Sequence, residues 1–182
     1  MTVVKNGATT ARPVLPLKAD VSCRVVGFDP EVVRDYCTVV EEPTADFALV
    51  RMEAPYEPRP GPFERWHRAG RLNLTDGELS DLLELLGDNG ILCVELDRPA
   101  VIPEAIDAAV AVVGFCGAQD AAVLDVVFGR AAPRGRLPFD LPRSMDAVEE
   151  HDPDRPGGSV DPVFTAGWRA DVTGWPAARG EG

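Results

Sequence analysis

Side chains that can do chemistry are concentrated in residues 53–67. This segment holds three carboxylates, two guanidinium groups, an imidazole and three aromatic rings. A carboxylate beside an arginine can act as a general acid or base, an imidazole titrates near neutrality, and flat aromatic faces stack on ligands such as sugar rings. Four prolines restrict the backbone, so the side chains can be held without a helix or strand. The pattern predicts a binding or catalytic loop, and the alternative is a proline-stiffened surface loop.

Two further clusters follow predicted strands. In residues 95–99, Asp97 and Arg98 either contact a ligand or form a structural Asp–Arg pair, and the structural role is favoured. Residues 114–120 form a glycine-containing turn before a helix, but the turn lacks both GxGxxG and the P-loop lysine. A nucleotide site is therefore disfavoured, and Cys116 is expected to be a small buried thiol rather than a nucleophile.

Predicted strands and helices, which could position these side chains, alternate along the chain. Thr75 and Glu78 form a capping-box pattern ahead of leucines at helical spacing, and Gly87 or Gly90 is expected to end that helix. Strands are predicted at 23–28, 45–52, 91–97, 110–115 and 135–142. Further helices are predicted at 30–40, 103–109 and 118–129.

The predicted strands at 91–97 and 110–115 read as continuous apolar runs, which are typical of parallel sheets covered by helices on both faces. The predicted fold class is therefore α/β, a three-layer α/β/α sandwich with a mostly parallel sheet of about five to six strands. Ligands of such sheets bind outside the carboxyl ends of the strands. The loops after Met52, Leu96 and Phe115 are the first places to expect a site.

The chain is expected to divide near residue 150. Residues 1–150 are predicted to form the domain, and residues 151–182 a Pro/Gly-rich C-terminal tail in which periodicity fades. Such a segment offers few buried contacts, so it is expected to be loosely packed or disordered. Its removal from about Pro153 is then expected to cost at most about 1 kcal/mol.

Composition excludes several classes of function. The chain of 182 residues has a formal charge of −12, which disfavours nucleic acid as a partner because phosphates are bound by clustered Lys and Arg. No apolar run suits an export signal or a membrane span, so we expect a cytoplasmic protein without membrane partners. The four cysteines are far apart and only two histidines occur. Buried free thiols are therefore expected, and neither a metal nor a cofactor is.

Several segments resemble one known domain. They are VVKNGATTARPVLPL, ADFALVRMEAPYEPRPG, FERWHRAGRL, LDRPAVIPE, AAVLDVVFGRAAPRGRLPFDLPRSMDAVEE and DPVF. The run GRLPFDLPRS, with LDVVFG upstream, is the most specific of them. Over roughly residues 3–165 the chain is similar to the C-terminal α/β-sandwich domain of glycoside hydrolase family 3, the β-glucosidase and exo-glucanase family.

This resemblance implies a (β/α)-barrel ahead of the domain, carrying the aspartate nucleophile and most sugar contacts. The chain starts at the domain's own beginning, so we expect it not to be an autonomous glycosidase. A retaining glycosidase needs two carboxyl groups about 5 Å apart, and this domain would supply at most one. Several relatives carry the acid/base carboxylate on the loop after the strand that residues 45–52 resemble. The resemblance assigns that role to Glu57, with Glu53 as the second choice.

Three functions remain open. In the first, the chain binds a carbohydrate or glycosylated small molecule, or completes a separate barrel subunit. In the second, it is a recruited biosynthetic enzyme for acid/base-catalysed hydrolysis, elimination or cyclisation. In the third, it is an inactive scaffold. The expected partners are the ligand and either a barrel chain or further copies of this chain. The candidate catalytic residues are Glu57, Glu53 and His67. The candidate substrate-binding residues are Tyr56, Arg59, Glu64, Trp66, Asp97 and Arg98.

Overall fold

A six-stranded sheet runs through the centre of the part of the chain that the structure describes. The structure is a computed structural model that describes residues 1–7, 13–41, 44–58, 61, 68–150 and 157–175. The strands are β1 (Thr2–Asn6), β2 (Ser22–Val26), β3 (Thr38–Val39), β4 (Phe47–Glu53), β5 (Gly90–Glu95) and β6 (Ala111–Phe115). Their order is β1-β6-β5-β4-β2-β3, and β1 alone of these strands runs antiparallel to its neighbour. The predicted α/β class and mostly parallel sheet are confirmed.

Helices cover both faces of this sheet. They are α1 (Pro30–Val33), α2 (Asp76–Leu86), α3 (Pro103–Ala108), α4 (Asp120–Val127) and α5 (Met145–Glu149). The capping box of α2 is present, since Thr75 accepts from the backbone of Glu78 while the Glu78 carboxylate accepts from the backbone of Thr75. The helix ends at Gly87, which has a positive φ of 51°. This local sequence signal therefore predicted both ends of α2 correctly.

The core has two layers, one on each face of the sheet. Alternate residues of β5 divide between them, with Ile91 packing on the side of α1 and α4 and Leu92 on the side of α2 and α3. Both side chains are fully buried. Burying an aliphatic side chain of this size contributes about 1.5–3 kcal/mol, so these layers provide much of the driving force for folding.

Two predicted elements differ from the structure. The helix expected at 30–40 stops at Val33, and the chain turns so that Thr38–Val39 can pair with β2 as an edge strand. The strand expected at 135–142 does not form in the described residues, although Leu141 forms one isolated antiparallel bridge to Phe164. Prolines at 138 and 142 have no N–H to donate to a ladder, which explains the irregular path.

The C-terminal segment departs most from expectation. Loose packing is wrong for residues 157–175, which fold back onto the domain. The indole of Trp175 is 8% exposed and donates to the backbone of Val126 at 2.8 Å. The backbone N–H of Ala170 donates to Val3 on the outer edge of β1 at 2.8 Å, and Gly167 donates to Leu137 at 2.7 Å. The segment thus covers an edge strand, while the domain boundary at residue 150 stays a prediction.

The cysteines, all of which are described, follow the expectation with one exception. Cys23, Cys37 and Cys93 are buried free thiols, whereas Cys116 is a free thiol but exposed, so its expected burial is wrong. Cys116 lies just past the last residue of β6, where the chain leaves the core. Among the described residues, no helix is long and apolar enough to cross a membrane.

Candidate functional site

The carboxyl ends of β4 and β5 lie side by side. Glu53 pairs with Glu95 in the strand register, and the backbone N–H of Ala54 continues the ladder with a 3.0 Å hydrogen bond to the Glu95 carbonyl. The loops that follow these strands carry Glu57 and Asp97. The predicted clusters at 53–67 and 95–99 are therefore neighbours at one edge of the sheet, which we call the carboxyl edge.

Arg68 joins the two loops of the carboxyl edge. Its Nη2 atom donates to Glu53 Oε1 at 2.6 Å. Its Nη1 atom lies 3.1 Å from Asp97 Oδ2, an ion pair whose angles do not meet those of a hydrogen bond. The guanidinium carbon also lies 5.7 Å from the ring centroid of Tyr56. Arg68 thus contacts Glu53, Asp97 and Tyr56, although the sequence analysis did not identify it as a candidate residue.

Glu57 has different surroundings. Its backbone N–H donates to the carbonyl of Ala69 at 2.9 Å in an isolated antiparallel bridge, so its main chain is fixed against the returning segment. Its side chain is exposed and forms no ion pair with any residue that the structure describes. The backbone of Glu57 is therefore held in place while its carboxylate remains open to solvent.

Gly70 explains how the Glu57 side chain fits. Gly70 has a φ of 80°, and a Cβ built there would lie 2.7 Å from the Cβ of Glu57. A larger residue would therefore be strained and would displace the glutamate side chain. The carbonyl of Gly70 accepts a 2.8 Å hydrogen bond from Arg98 Nη2.

Two arginines surround Glu57 without bonding to it directly. Burial lowers the pKa of Arg98, and the negative charges of Asp97 and Glu57 oppose that shift. The Nη1 atom of Arg98 is buried and has no hydrogen-bond partner among the described residues. The bond of Arg71 to Glu78 chiefly raises the pKa of Arg71, and the negative charge of Glu57 adds to that shift. The Glu57 carboxylate therefore lies against Gly70 and within electrostatic reach of both arginines.

Arg51 occupies the neighbouring part of the carboxyl edge. It forms ion pairs with Glu95, at 3.6 Å, and with Asp120 in the first turn of α4. Its Nη2 atom donates to the Ala118 carbonyl at 3.0 Å, and its guanidinium lies 4.7 Å from the Phe115 ring centroid. A bound anion would have to displace the Asp120 carboxylate from this turn.

Four candidate residues lie outside the described residues, namely Arg59, Glu64, Trp66 and His67. Their assigned roles stay predictions. Within the described ranges, no group of three or more His, Cys, Asp or Glu side chains could hold a metal ion. Sequence reasoning missed Arg68, Arg71 and Arg51 as organisers of this edge, because an arginine's type gives no sign of which distant carboxylate it will meet.

The ion pair between Arg71 and Glu78 predicts that the stability of the protein depends on pH. Arg71, followed by the backbone N–H of Thr75, holds the pKa of Glu78 at about 2, below its usual 4.5. Because the folded pKa is depressed, this contribution to stability is full above the unfolded pKa and is lost as the pH falls through the folded pKa. Glu78 is 47% exposed, so solvent screening reduces the contribution to about 1 kcal/mol.

Urea unfolding at about pH 6 and about pH 3 measures this effect. Because a pH of about 3 is still above the folded pKa, the wild type should lose about 0.6 kcal/mol more over that interval than Glu78→Gln. Glu84→Gln, on the exposed face of the same helix, is the matched control and should keep the wild-type pH dependence. Equal losses in the wild type and Glu78→Gln would show that the pair does not contribute.

Comparisons with known proteins agree with this architecture. The family model for the glycosyl hydrolase family 3 C-terminal domain matches residues 38–172. Beta-glucosidase C of Emericella nidulans is 46% identical over 146 residues, covering 79% of this chain and 24% of that protein. A probable beta-glucosidase C of Aspergillus flavus is 43% identical over 158 residues, covering 85% of this chain and 25% of that protein.

A solved structure shows the same fold. The beta-glucosidase from Listeria innocua in complex with glucose has a TM-score of 0.67 at 14% identity, over 93% of this chain and 32% of that one. The chain spans about a quarter of the length of the curated relatives above. The family match includes residues past 150, in agreement with the packing of the C-terminal segment. The fold, the sequence identity and the family match together show that this chain belongs to the glycosyl hydrolase family 3 C-terminal domain family.

Proposed function

We propose that this domain supplies Glu57 as a general acid/base to a carbohydrate site whose other half lies on a (β/α)-barrel. The relatives that match it are named beta-glucosidases, and the chain corresponds to about a quarter of their length. Retaining hydrolysis of a glycoside uses one carboxylate as the nucleophile and a second as the acid/base. In this proposal the barrel provides the first and this domain the second.

The observation that carries the proposal is the contrast between Glu57 and the other carboxylates of the edge. Glu53 and Asp97 are both paired with Arg68, which supports a structural role for them in this proposal. Glu57 is fixed through its backbone to Ala69, and its carboxylate is exposed beside cationic neighbours. A general acid/base needs this combination of a fixed main chain and a side chain that can reach substrate.

The same contrast argues against hydrolysis by this domain alone. A second carboxylate would have to be free to attack the sugar about 5 Å from the first. Glu53 and Asp97 are held by Arg68, and Glu95 faces Arg51. No carboxylate described at this edge other than Glu57 is free of an ion pair with a described residue.

Substrate contacts are proposed for the residues around Glu57. The buried Nη1 of Arg98 has a hydrogen to donate, and Tyr56 adds an aromatic face partly covered by Arg68. Arg59, Glu64, Trp66 and His67 are proposed to complete the rim of the site. A barrel chain, a barrel in the same protein or a second copy of the domain is the proposed partner. A cytoplasmic location stays a prediction, and nothing in the described edge supports the recruited biosynthetic enzyme.

Assays with aryl β-glucosides test the proposal. The purified domain by itself should show no turnover above a buffer blank, because the nucleophile is missing. Mixing it with a barrel-only protein of the family should produce turnover that depends on both components. Turnover by the domain alone, abolished by a point change such as Glu57→Gln, would show that its own residues suffice and would overturn the division of roles.

A further inference from the structure

A small cavity lies at the carboxyl end of β6, beside the amino end of β1. Its volume is about 140 Å³, and its lining includes Thr2, Leu96, Gly114, Cys116, Arg136 and Leu137. Pockets for drug-sized ligands usually measure about 300–1,000 Å³. This cavity therefore suits a ligand, or one end of a ligand, with only a few non-hydrogen atoms.

The floor of the cavity holds a hydroxyl group without a partner. Thr2 pairs with Gly114 in the antiparallel register and is 4% exposed, and its Oγ1 atom has no hydrogen-bond partner among the described residues. A Cβ built at Gly114 would lie 3.6 Å from the Thr2 methyl carbon and 2.7 Å from Leu96 Cδ1, so the Thr2 side chain lies on the cavity's side of the sheet. Buried hydroxyls are normally hydrogen-bonded, so a polar ligand atom would supply the missing partner.

The mouth of the cavity carries a cation. Arg136 is exposed there, donates from Nη1 to the Gly167 carbonyl at 2.9 Å, and forms no ion pair with a described residue. None of the described lining residues is Asp or Glu, although the chain as a whole has a formal charge of −12. A guanidinium group without a counter-charge is suited to bind a carboxylate.

Cys116 lies at the same mouth as Arg136. It is the exposed member of the four cysteines, all of which are described, whereas Cys23, Cys37 and Cys93 are at most 7% exposed. The rate at which a thiol exchanges with a disulfide depends on access to its sulfur. A molecule held in the cavity is therefore placed beside the one accessible thiol among these four.

We propose that this cavity binds a small carboxylate and so directs carboxylate-bearing disulfides to Cys116, which becomes S-thiolated. Arg136 pairs with the carboxylate at the mouth, and the Thr2 hydroxyl donates to one of its oxygens from the floor. The cavity and the thiol act together, because binding raises the local concentration of the disulfide at Cys116. The site lies on β6 and does not include Glu57 or the other candidate residues of the carboxyl edge.

The reaction is a thiol–disulfide exchange, with the small disulfide as the oxidant. The Cys116 thiol loses its proton to solvent, and the thiolate attacks one sulfur of the disulfide. A new S–S bond joins Cys116 to that half of the molecule as the original S–S bond breaks. The other half leaves as a thiolate and takes up a proton from water. The sulfur of Cys116 is oxidised, and the departing sulfur is reduced.

Two matched disulfides test the proposal on the native protein. Dithiodiglycolate carries a carboxylate on each half, and bis(2-hydroxyethyl) disulfide carries a hydroxymethyl group in its place. Intact-mass measurements give the rate of each reaction at physiological ionic strength, which screens the net charge of the chain. The ratio of the two rates is divided by the same ratio for N-acetylcysteine amide. This corrected preference for the carboxylate should be at least about threefold, and peptide mapping should place the adduct on Cys116.

Substitutions at the cavity separate carboxylate binding from simple exposure of the thiol. Arg136→Gln should lower the corrected preference to about one, whereas Arg136→Lys, which keeps the charge, should retain most of it. Thr2→Val keeps the size of the side chain and should also lower the preference. Arg134→Gln is the matched control, since Arg134 is exposed two residues away and does not line the cavity.

The wild-type protein alone can overturn the proposal, so the test does not depend on how well a variant folds. Equal corrected rates for the two disulfides would show that the cavity does not select a carboxylate. A preference that persists in Arg136→Gln would show that the cation does not supply it. The readout is an adduct on Cys116, so it is independent of carbohydrate turnover and of the proposed role of Glu57.

Discussion

Glu57→Gln is expected to lower turnover of alkyl β-glucosides by at least about 100-fold when the domain is assayed with a family barrel. Glutamine keeps the size of the side chain and its backbone bridge to Ala69, but it can neither donate nor accept the proton that moves during glycoside cleavage. Removing a positioned general acid/base typically slows a reaction by about 10²- to 10⁴-fold. The fold should be unaffected, because the carboxylate is exposed and makes no ion pair with a described residue.

The leaving group separates loss of proton donation from damage to the site. A dinitrophenyl leaving group departs without much proton donation, so the first step with that substrate should be nearly unchanged in Glu57→Gln. Glu53→Gln is the matched control: it should destabilise the loop through loss of the Arg68 pair and lower turnover of both substrates alike. The acid/base is Glu53 if Glu57→Gln retains full activity while Glu53→Gln abolishes turnover of the alkyl glucoside but not of the dinitrophenyl glucoside.

Ending the chain at residue 156 is expected to lower the free energy of unfolding by about 5 kcal/mol. The deletion removes Trp175, whose buried side chain alone is worth about 3–5 kcal/mol on the scale of large-to-alanine changes. It also leaves the β1 edge at Val3 and the 137–141 segment without their hydrogen-bond partners at Ala170, Phe164 and Gly167. Domains of this size unfold with about 5–15 kcal/mol, so the shortened protein should be marginal or unfolded.

Thermal unfolding measures the effect of the deletion. A drop of about 10 °C or more is expected, because each kcal/mol shifts the melting temperature by roughly 2–4 °C in a chain of this length. Trp175→Ala should reproduce more than half of the loss, whereas Val160→Ala, at a side chain 54% exposed, should be nearly silent. A melting temperature unchanged by the deletion would mean that residues 157–175 add nothing to the stability of the domain.

The sequence alone was enough for the features that depend on neighbouring residues. The apolar runs of β5 and β6 indicated strands buried on both faces, and the Thr75 and Glu78 pair indicated where α2 begins. These signals are local because a strand's burial pattern and a helix cap involve residues only a few positions apart. The family resemblance, which rests on longer motifs, was confirmed over residues 38–172.

The tertiary structure decided which distant groups meet. Asp97 was expected to pair with Arg98, but its ion pair is with Arg68, and Arg98 bonds the carbonyl of Gly70 instead. Sequence spacing gives the reach of a side chain along its own element, whereas ion pairs across loops depend on strand order and loop path. The contacts of Arg68 exist because β4 and β5 are adjacent, which no local pattern specifies.

The C-terminal segment follows the same physical rule. Fading periodicity predicted a loose tail, yet residues 157–175 cover the outer edge of β1 with irregular backbone held by long-range hydrogen bonds. Sequence determined the elements of this domain, because propensity and burial patterns are local. Only the tertiary structure decided its contacts, because they join residues that chain topology alone brings together.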